Sequence, residues 1–234
     1  MAVNQTKREY STLMEMDITR QFSIISIHPV KGWIMPGHEN FKFALSGAFI
    51  LDFFLKGEIR FEDNRIVPST RNTGDQLHDR LADLFSSASG PRKISYWIRK
   101  FQWRWRTNMN EAVDPFITSG VLTHEVKHFL GIIPYHRYYI IDQEIRNPLI
   151  RSLRNVLISG STPTKEQKIV IGLLREARIL RHLASDRSER SIIRSRYREI
   201  FSNEDYPSET DIFIRKVLYA VRQAIVASES AHGA

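Results

Sequence analysis

Apolar residues at helical spacing dominate the chain and predict a mainly α-helical protein. Phe41 to Leu55 is apolar almost all round, as expected of a helix in the centre of a core, and Gly57 is placed to cap its C-terminus. Amphipathic or heptad-like patterns predict further helices over residues 11–20, 76–86, 147–158, 165–184 and 211–229. Phe22 to Ile27 alternates weakly, which is typical of either a strand or a helix.

Two segments have the alternating pattern of short strands. Glu58 to Val67 alternates around the Asp63-Asn64 pair, which is a β-hairpin signal. Val121 to Asp142 predicts a second pair of strands, and its central part, Phe129 to Tyr135, is apolar where a hairpin tip is usually polar. The predicted fold is a single globular helical domain, mainly α, with small β-hairpins, one of which exposes an apolar tip.

The domain is expected to cover residues 11–229, with a flexible N-terminus over 1–10 and a flexible C-terminus over 230–234. No apolar run approaches the roughly 18–20 residues needed to span a bilayer, and the N-terminal segment lacks the apolar region of a secretory signal. The absence of cysteine excludes disulfides, thiolate metal sites and cysteine nucleophiles. A net charge of +8 favours anionic partners, either nucleic acid or an acidic membrane surface.

A dense cationic cluster lies between Arg92 and Arg106. Six of these fifteen residues are Lys or Arg, none is acidic, and three are tryptophans. If the cluster is one helix continuing to Ser119, its buried stripe consists of Ile98, Phe101, Trp105, Met109, Ala112, Phe116 and Ile117. Arg99, Trp103 and Arg106 fall on a neighbouring flank, which suits a membrane headgroup layer or a nucleic-acid backbone. A basic helix whose tryptophans all pack inward fits the spacing equally well.

The segment from His124 to His128 is a literal HExxH sequence. On a helix, the two histidines would bind zinc while Glu125 activates a water molecule. Lys127 places a cation inside this motif, and the surrounding residues favour a strand, in which the histidines lie about 13 Å apart. A zinc-dependent hydrolase is therefore one alternative function. Nucleic-acid binding by the cationic cluster is another, although no RRM, KH or zinc-finger signature accompanies it.

The order of several short segments resembles the Golgi phosphoprotein 3 family over about residues 11–228. These segments are Ser11-Thr12-Leu13-Met14-Glu15, Ala44 to Ala48 with Leu55 to Ile59, Thr73-Gly74-Asp75 with Leu77, Asp79 and Leu81, Trp97-Ile98, and Gly120 to Thr123 with Glu125. The resemblance implies a mainly α-helical, non-enzymatic protein without a cofactor. Characterised members are cytosolic, dock on Golgi membranes through phosphatidylinositol 4-phosphate, bind the tails of glycosyltransferases and insert a hydrophobic hairpin into the bilayer.

Carried over to this chain, the resemblance implies a cytoplasmic, peripheral membrane protein, which would be bound to the Golgi in a eukaryote. Its expected partners are an acidic lipid and the cytosolic tails of membrane enzymes. No nucleic acid is expected as a partner. Trp33 matches the family's loop tryptophan and Arg106 one of its basic positions, whereas Ser46 and Met109 replace two others. The candidate lipid-binding residues are Trp33, Arg99, Trp103, Arg104 and Arg106. The candidate membrane-inserting residues are Phe129, Leu130, Ile132, Ile133 and Tyr135.

Overall fold

The computed structural model describes residues 16–35, 38–69, 79, 83–85, 87–88, 90–202 and 207–232. Its helices are α1 (Ile18–Ser26), α2 (His38–Leu55), α3 (Ile94–Gln102), α4 (Trp105–Thr118), α5 (Asn147–Leu157), α6 (Lys165–Glu176), α7 (Arg187–Ser202) and α8 (Glu209–His232). Its strands are β1 (Ile59–Glu62), β2 (Arg65–Pro68), β3 (Leu122–Phe129) and β4 (Ile133–Ile140), and short 3-10 turns occupy Gln143–Ile145 and Leu180–Leu183. The prediction of a single, mainly α domain with small hairpins is confirmed.

Helix α2 lies at the centre of the core because it is apolar on every side. It packs against α1, α3, α6 and α8, and Phe41, Phe49 and Phe53 on it are fully buried. Gly47 permits a close approach to α8, since a Cβ there would lie 2.6 Å from Cγ2 of Val221. The all-round apolar pattern therefore predicted the position of this helix correctly.

Asp52 is the one acidic residue in the apolar run of α2, and it caps the start of α1. Its carboxylate accepts hydrogen bonds from the backbone N–H groups of Ile18 and Thr19, both at 2.8 Å, and from the Thr19 hydroxyl. The first N–H groups of a helix have no partner within the helix, so this buried carboxylate supplies one from another element. Asp52 is thus a satisfied structural group.

Both predicted hairpins are present. Strands β1 and β2 pair from Ile59 opposite Pro68 to Glu62 opposite Arg65. The turn residues Asp63 and Asn64 have φ values of 47° and 60°, as a two-residue type I′ turn requires. Strands β3 and β4 pair antiparallel over eight residues each, with Phe129 opposite Ile133 at the tip.

The predicted single helix over the cationic cluster is wrong, because the chain breaks between α3 and α4 at Trp103 and Arg104. The side-chain amide of Asn108 donates to the carbonyl oxygen of Phe101 at 3.2 Å, and the Arg104 N–H donates to the same oxygen at 3.1 Å. In an unbroken helix, this oxygen would accept from the N–H group four residues later. At the break, the two donors from Asn108 and Arg104 take the place of that bond. The inward stripe nevertheless holds on both sides of the break, since Ile98, Phe101, Met109, Ala112 and Phe116 are buried.

Other helix boundaries also differ from the prediction. The segment from Phe22, ambiguous by pattern, belongs to α1, which begins at Ile18 rather than earlier. The helix predicted over 165–184 ends at Glu176, and Arg178 adopts a φ of 62° before a 3-10 turn follows. Residues 11–15 and most of the helix predicted over 76–86 lie outside the described residues, as do residues 1–10.

Candidate functional site

A cleft with a volume of about 1250 Å³ opens between the second hairpin and the helices beside it. Its walls come from the loop after α1, the start of α4, strand β4, helix α5 with the residue before it, and the segment after α6. The residues that line it are His28, Pro29, Trp33, Ile34, Met35, Trp105, Arg106, Ile133, Pro134, Tyr135, His136, Arg137, Tyr138, Arg146, Ile150, Arg154, His182, Leu183, Ala184 and Ser185.

The loop carrying Trp33 is tied to the hairpin by backbone bonds. The His28 N–H donates to the carbonyl of Trp33 at 2.8 Å, and the Tyr138 N–H on β4 donates to the carbonyl of Gly32 at 2.7 Å. Gly32 has a φ of 66°, and a Cβ there would lie 2.9 Å from the backbone carbonyl oxygen of Tyr138. Only glycine satisfies both conditions, so this position fixes where Trp33 meets the hairpin.

Arg137 bridges the loop and the hairpin through their aromatic rings. Its guanidinium carbon lies 5.4 Å from the centre of the Trp33 ring and 4.9 Å from that of Tyr135. Glu125 is directly opposite Arg137 in the strand register, but its carboxylate pairs with Lys127 at 3.2 Å. Within the described residues, Arg137 therefore keeps its charge without a carboxylate partner.

Arg106 occupies the first turn of α4, beside a stack of rings on the hairpin. The parallel rings of His124 and His136 are 5.0 Å apart, and their nitrogens Nε2 and Nδ1 are 2.8 Å apart. Burial, together with the charge of Arg106, lowers the pKa of His136. Tyr138 is buried against His124 and donates its hydroxyl proton to Asn110 at 2.6 Å. The ring stack is therefore neutral at pH 7 next to an exposed guanidinium.

Arg146 and Arg154 also line the cleft. Arg154 forms a two-pronged ion pair with Glu189 at 2.8 and 2.9 Å, and this bond holds the pKa of Glu189 down at about 2. Arg146 has no such partner among the described residues, and burial lowers its pKa. His28 and His182 line the cleft as well, the His28 ring lies edge-on to the Trp33 ring with their centres 5.5 Å apart, and burial lowers the pKa of each histidine.

None of the described residues that line the cleft is Asp or Glu, whereas four are arginine and three are histidine. One arginine is neutralised by Glu189, so Arg106, Arg137 and Arg146 leave the cleft with about three uncompensated positive charges. Guanidinium groups bind phosphate through paired N–H donors, which makes this cleft suited to a phosphate-bearing ligand.

A second, smaller cleft of about 920 Å³ adjoins the first, because Trp105 and Arg106 line both. Arg99 and Trp103 lie in this second cleft, and the Trp103 side chain is 82% exposed at the break between α3 and α4. Arg104 is exposed but lines neither cleft. The structure thus groups Trp33 with Arg106 and places Arg99 and Trp103 next to them.

Ser46 and Met109, at the two positions where the family resemblance expects a basic residue, are both buried outside the clefts. The Ser46 hydroxyl is buried and donates to the Lys42 carbonyl one turn earlier at 2.8 Å. Met109 is fully buried in the core. Neither residue lines either cleft, and neither supplies the positive charge that the family resemblance expects at its position.

The tip of the second hairpin is exposed. The side chains of Phe129, Leu130, Ile132 and Ile133 are between 58% and 80% accessible to solvent. Leu130 and Gly131 turn the chain with φ values of 52° and 73°. Tyr135 differs from these residues, because it is half-buried in the wall of the first cleft beneath Arg137.

The comparison with protein families decides the relationship that the segment order suggested. A family described as Golgi phosphoprotein 3 (GPP34) matches residues 18–226 of the 234-residue chain. The chain belongs to this family. The family is Golgi-associated and is not known as an enzyme family. A search of curated proteins finds no match. None of the described helices is long and apolar enough to cross a membrane.

The HExxH segment of this Golgi phosphoprotein 3 family member does not have the geometry of a zinc site. His124 and His128 lie on strand β3, opposite Tyr138 and Pro134 respectively. Four residues along a strand separate them by about 13 Å, whereas zinc ligands lie about 2 Å from the metal. Among the described residues, no group of three or more His, Asp or Glu side chains is placed to hold a metal ion.

Several cleft residues of this Golgi phosphoprotein 3 family member are not predicted by the sequence. No local sequence pattern marks Arg137 as a ligand, because its place over Trp33 depends on the loop that Gly32 brings to the hairpin. Arg146, His28 and His182 come from three separate segments with no shared motif. Only the tertiary packing of α1, α5 and the turn after α6 brings them into one cleft.

Proposed function

We propose that this protein binds anionic lipid at the surface of a membrane, with a phosphoinositide such as phosphatidylinositol 4-phosphate as its ligand. The headgroup phosphate would lie in the first cleft between Arg106 and Arg137, and Trp33 would cover it. The observation that carries the proposal is a cleft whose described lining has four arginines and no carboxylate, next to an exposed apolar hairpin tip. Membership of a Golgi-associated family supports the same conclusion.

The hairpin and the second cleft would share the membrane-facing side of the protein. Leu130 and Ile132 would enter the acyl region, while Trp103 would lie at the headgroup level, where amphipathic rings are enriched. Arg99 and Arg104 would contact neighbouring acidic lipids, each contributing about 1 kcal/mol near an anionic surface. The location expected is the cytoplasmic face of a membrane, that of the Golgi if the cell has one.

Flotation with vesicles tests the proposal through Arg106. The variant Arg106→Gln keeps a polar side chain with an N–H donor but removes the charge. A hydrogen bond to a charged group contributes about 1.5–3 kcal/mol, so the apparent affinity for vesicles with phosphatidylinositol 4-phosphate should fall by about 10- to 100-fold. Arg137→Gln should have a similar effect, because it also removes the cation over Trp33.

Arg151→Gln is the matched control, since Arg151 is an exposed arginine on α5 that lines neither cleft. Its affinity should stay within about twofold of that of the wild type, as for a charge that contributes only to the general field. If Arg106→Gln and Arg151→Gln reduce binding equally, the cleft does not bind the headgroup and the attraction comes from net charge alone.

A further inference from the structure

We propose that the cleft has a second anion subsite, formed by Arg146, His28 and His182, and that its preferred ligand is a headgroup with two phosphate monoesters. The proposal rests on the function proposed above, since it assigns the first phosphate to Arg106 and Arg137. The three residues of the second subsite line the same cavity but come from other segments of the chain.

Arg146 is the residue on which this subsite depends. Its guanidinium is half-buried, and its Nε–H is inaccessible to solvent without a hydrogen-bond partner. Its terminal nitrogens make no hydrogen bond or ion pair with any described residue. Burial disfavours its charge and lowers its pKa. A buried cation without a counter-charge is costly, and an anion in the cleft would remove that cost.

Arg154 lies in the same cleft but, unlike Arg146, has partners for its guanidinium N–H groups. Glu189 accepts two hydrogen bonds from it, and the carbonyl of Leu183 accepts another. Glu189 is held in turn by the backbone N–H of Ser185 at 2.7 Å. Because this pair is complete, Glu189 is not available to neutralise Arg146, and an external anion is the counter-charge that fits.

His28 contributes a directed donor. Its Nδ1 accepts hydrogen bonds from the backbone N–H groups of Val30 and Lys31 at 3.2 and 3.1 Å. A neutral imidazole that accepts at Nδ1 carries its proton at Nε2, so His28 has an Nε2–H with no partner among the described residues. Arg146, His28 and His182 line the same cavity, and the charge of Arg146 helps to lower the pKa of His28.

The size of the cleft agrees with a ligand larger than one phosphate. Its volume of about 1250 Å³ exceeds the roughly 300–1,000 Å³ that is typical of small-molecule sites. The His28 ring lies 5.5 Å from the Trp33 ring, and Arg137 lies 5.4 Å from the same ring, so the two subsites are close enough for one headgroup to reach both. A headgroup with one phosphate monoester between Arg106 and Arg137 would leave Arg146 without a counter-charge. A second monoester on the same ring would supply it.

The experiment compares vesicles that contain phosphatidylinositol with one phosphate monoester and vesicles that contain it with two, at matched surface potential. The wild-type chain should bind the bisphosphorylated vesicles at least about tenfold more tightly, from one added charge-assisted contact. Arg146→Gln should abolish this preference and should weaken binding to the monophosphorylated vesicles less than Arg106→Gln does. Arg151→Gln, a nearby exposed arginine outside the cleft, should keep the preference.

Each outcome separates the two proposals. If the wild type and Arg146→Gln bind both kinds of vesicle equally well, the second subsite is refuted while the function proposed above stands. If neither protein binds either kind of vesicle, the proposed function itself fails. A titration with the soluble inositol phosphates, without vesicles, distinguishes a headgroup subsite from general attraction to the bilayer: loss of the preference there would also overturn the subsite.

Discussion

The exposed hairpin tip allows a quantitative prediction about membrane insertion. The double variant Leu130→Asn with Ile132→Asn replaces two apolar side chains that are 78% and 80% exposed and line neither cleft. Full burial of such a side chain contributes about 1.5–3 kcal/mol, so burying the exposed part of both in the acyl region would contribute about 2–5 kcal/mol. The variant should therefore bind membranes about 30- to 5,000-fold more weakly.

The assay is vesicle flotation in about 1 M salt, where a Debye length of about 3 Å suppresses the attraction between the basic surface and the acidic lipid. The wild type should retain measurable binding there through the tip, and the double variant should lose it. Asparagine is also well tolerated at positive φ, so Leu130→Asn, at a φ of 52°, should leave the turn intact.

Val226→Asn serves as the control, because it removes an apolar side chain that is 49% exposed on α8. Its membrane binding should equal that of the wild type, and circular dichroism should show that all three proteins are folded. If the double variant floats with wild-type affinity in high salt, the tip does not enter the bilayer.

Three further predictions concern pH and stability. Burial lowers the pKa of each of the three cleft histidines below 6.5, so they are largely neutral near pH 7.5. Acidification below pH 6.5 should charge them and tighten binding to anionic vesicles, and a flat flotation profile would contradict this. Burial and the neighbouring Asp17 carboxylate raise the pKa of Asp52 to about 7, so the folded chain retains this proton when the unfolded chain has lost it. The free energy of unfolding should fall as the pH rises from about 4 to about 7, and urea titrations of Asp52→Asn should lack that slope; equal slopes in both proteins would refute the assignment. Arg154 holds the pKa of Glu189 at about 2, so the stability from this pair is present above about pH 4.5 and is lost as the pH falls towards 2. Glu189→Gln should melt at a lower temperature at pH 7 and should lack this acid loss, whereas an unchanged melting temperature would show that the pair contributes nothing.

Local periodicity was sufficient to predict the elements whose environment is uniform. Helix α2 is apolar on all sides because it is surrounded, and the Asp63-Asn64 turn has the residues that a type I′ turn demands. The break after Gln102 was not predictable in the same way. It depends on a hydrogen bond from Asn108 to the carbonyl of Phe101, and the inward stripe continues across it as if the helix were intact.

The candidate site was predictable only in part, for a related reason. Trp33 and Arg106 were identified through the order of segments shared with a family, and the structure brings them to one cleft. Arg137 and Arg146 have no local pattern that separates them from other exposed arginines. What distinguishes them is their place in one cleft whose described lining has no carboxylate, and that is a property of tertiary packing rather than of sequence.

The central claim is that the cleft recognises a phosphoinositide and not merely negative charge. The most direct measurement compares flotation of the wild-type chain with three kinds of vesicle: neutral phosphatidylcholine, phosphatidylserine, and phosphatidylinositol 4-phosphate at the same surface potential as the phosphatidylserine vesicles. The account predicts weak recovery with neutral vesicles, intermediate recovery with phosphatidylserine and the highest recovery with the phosphoinositide. Equal recovery with phosphatidylserine and phosphoinositide vesicles would contradict it.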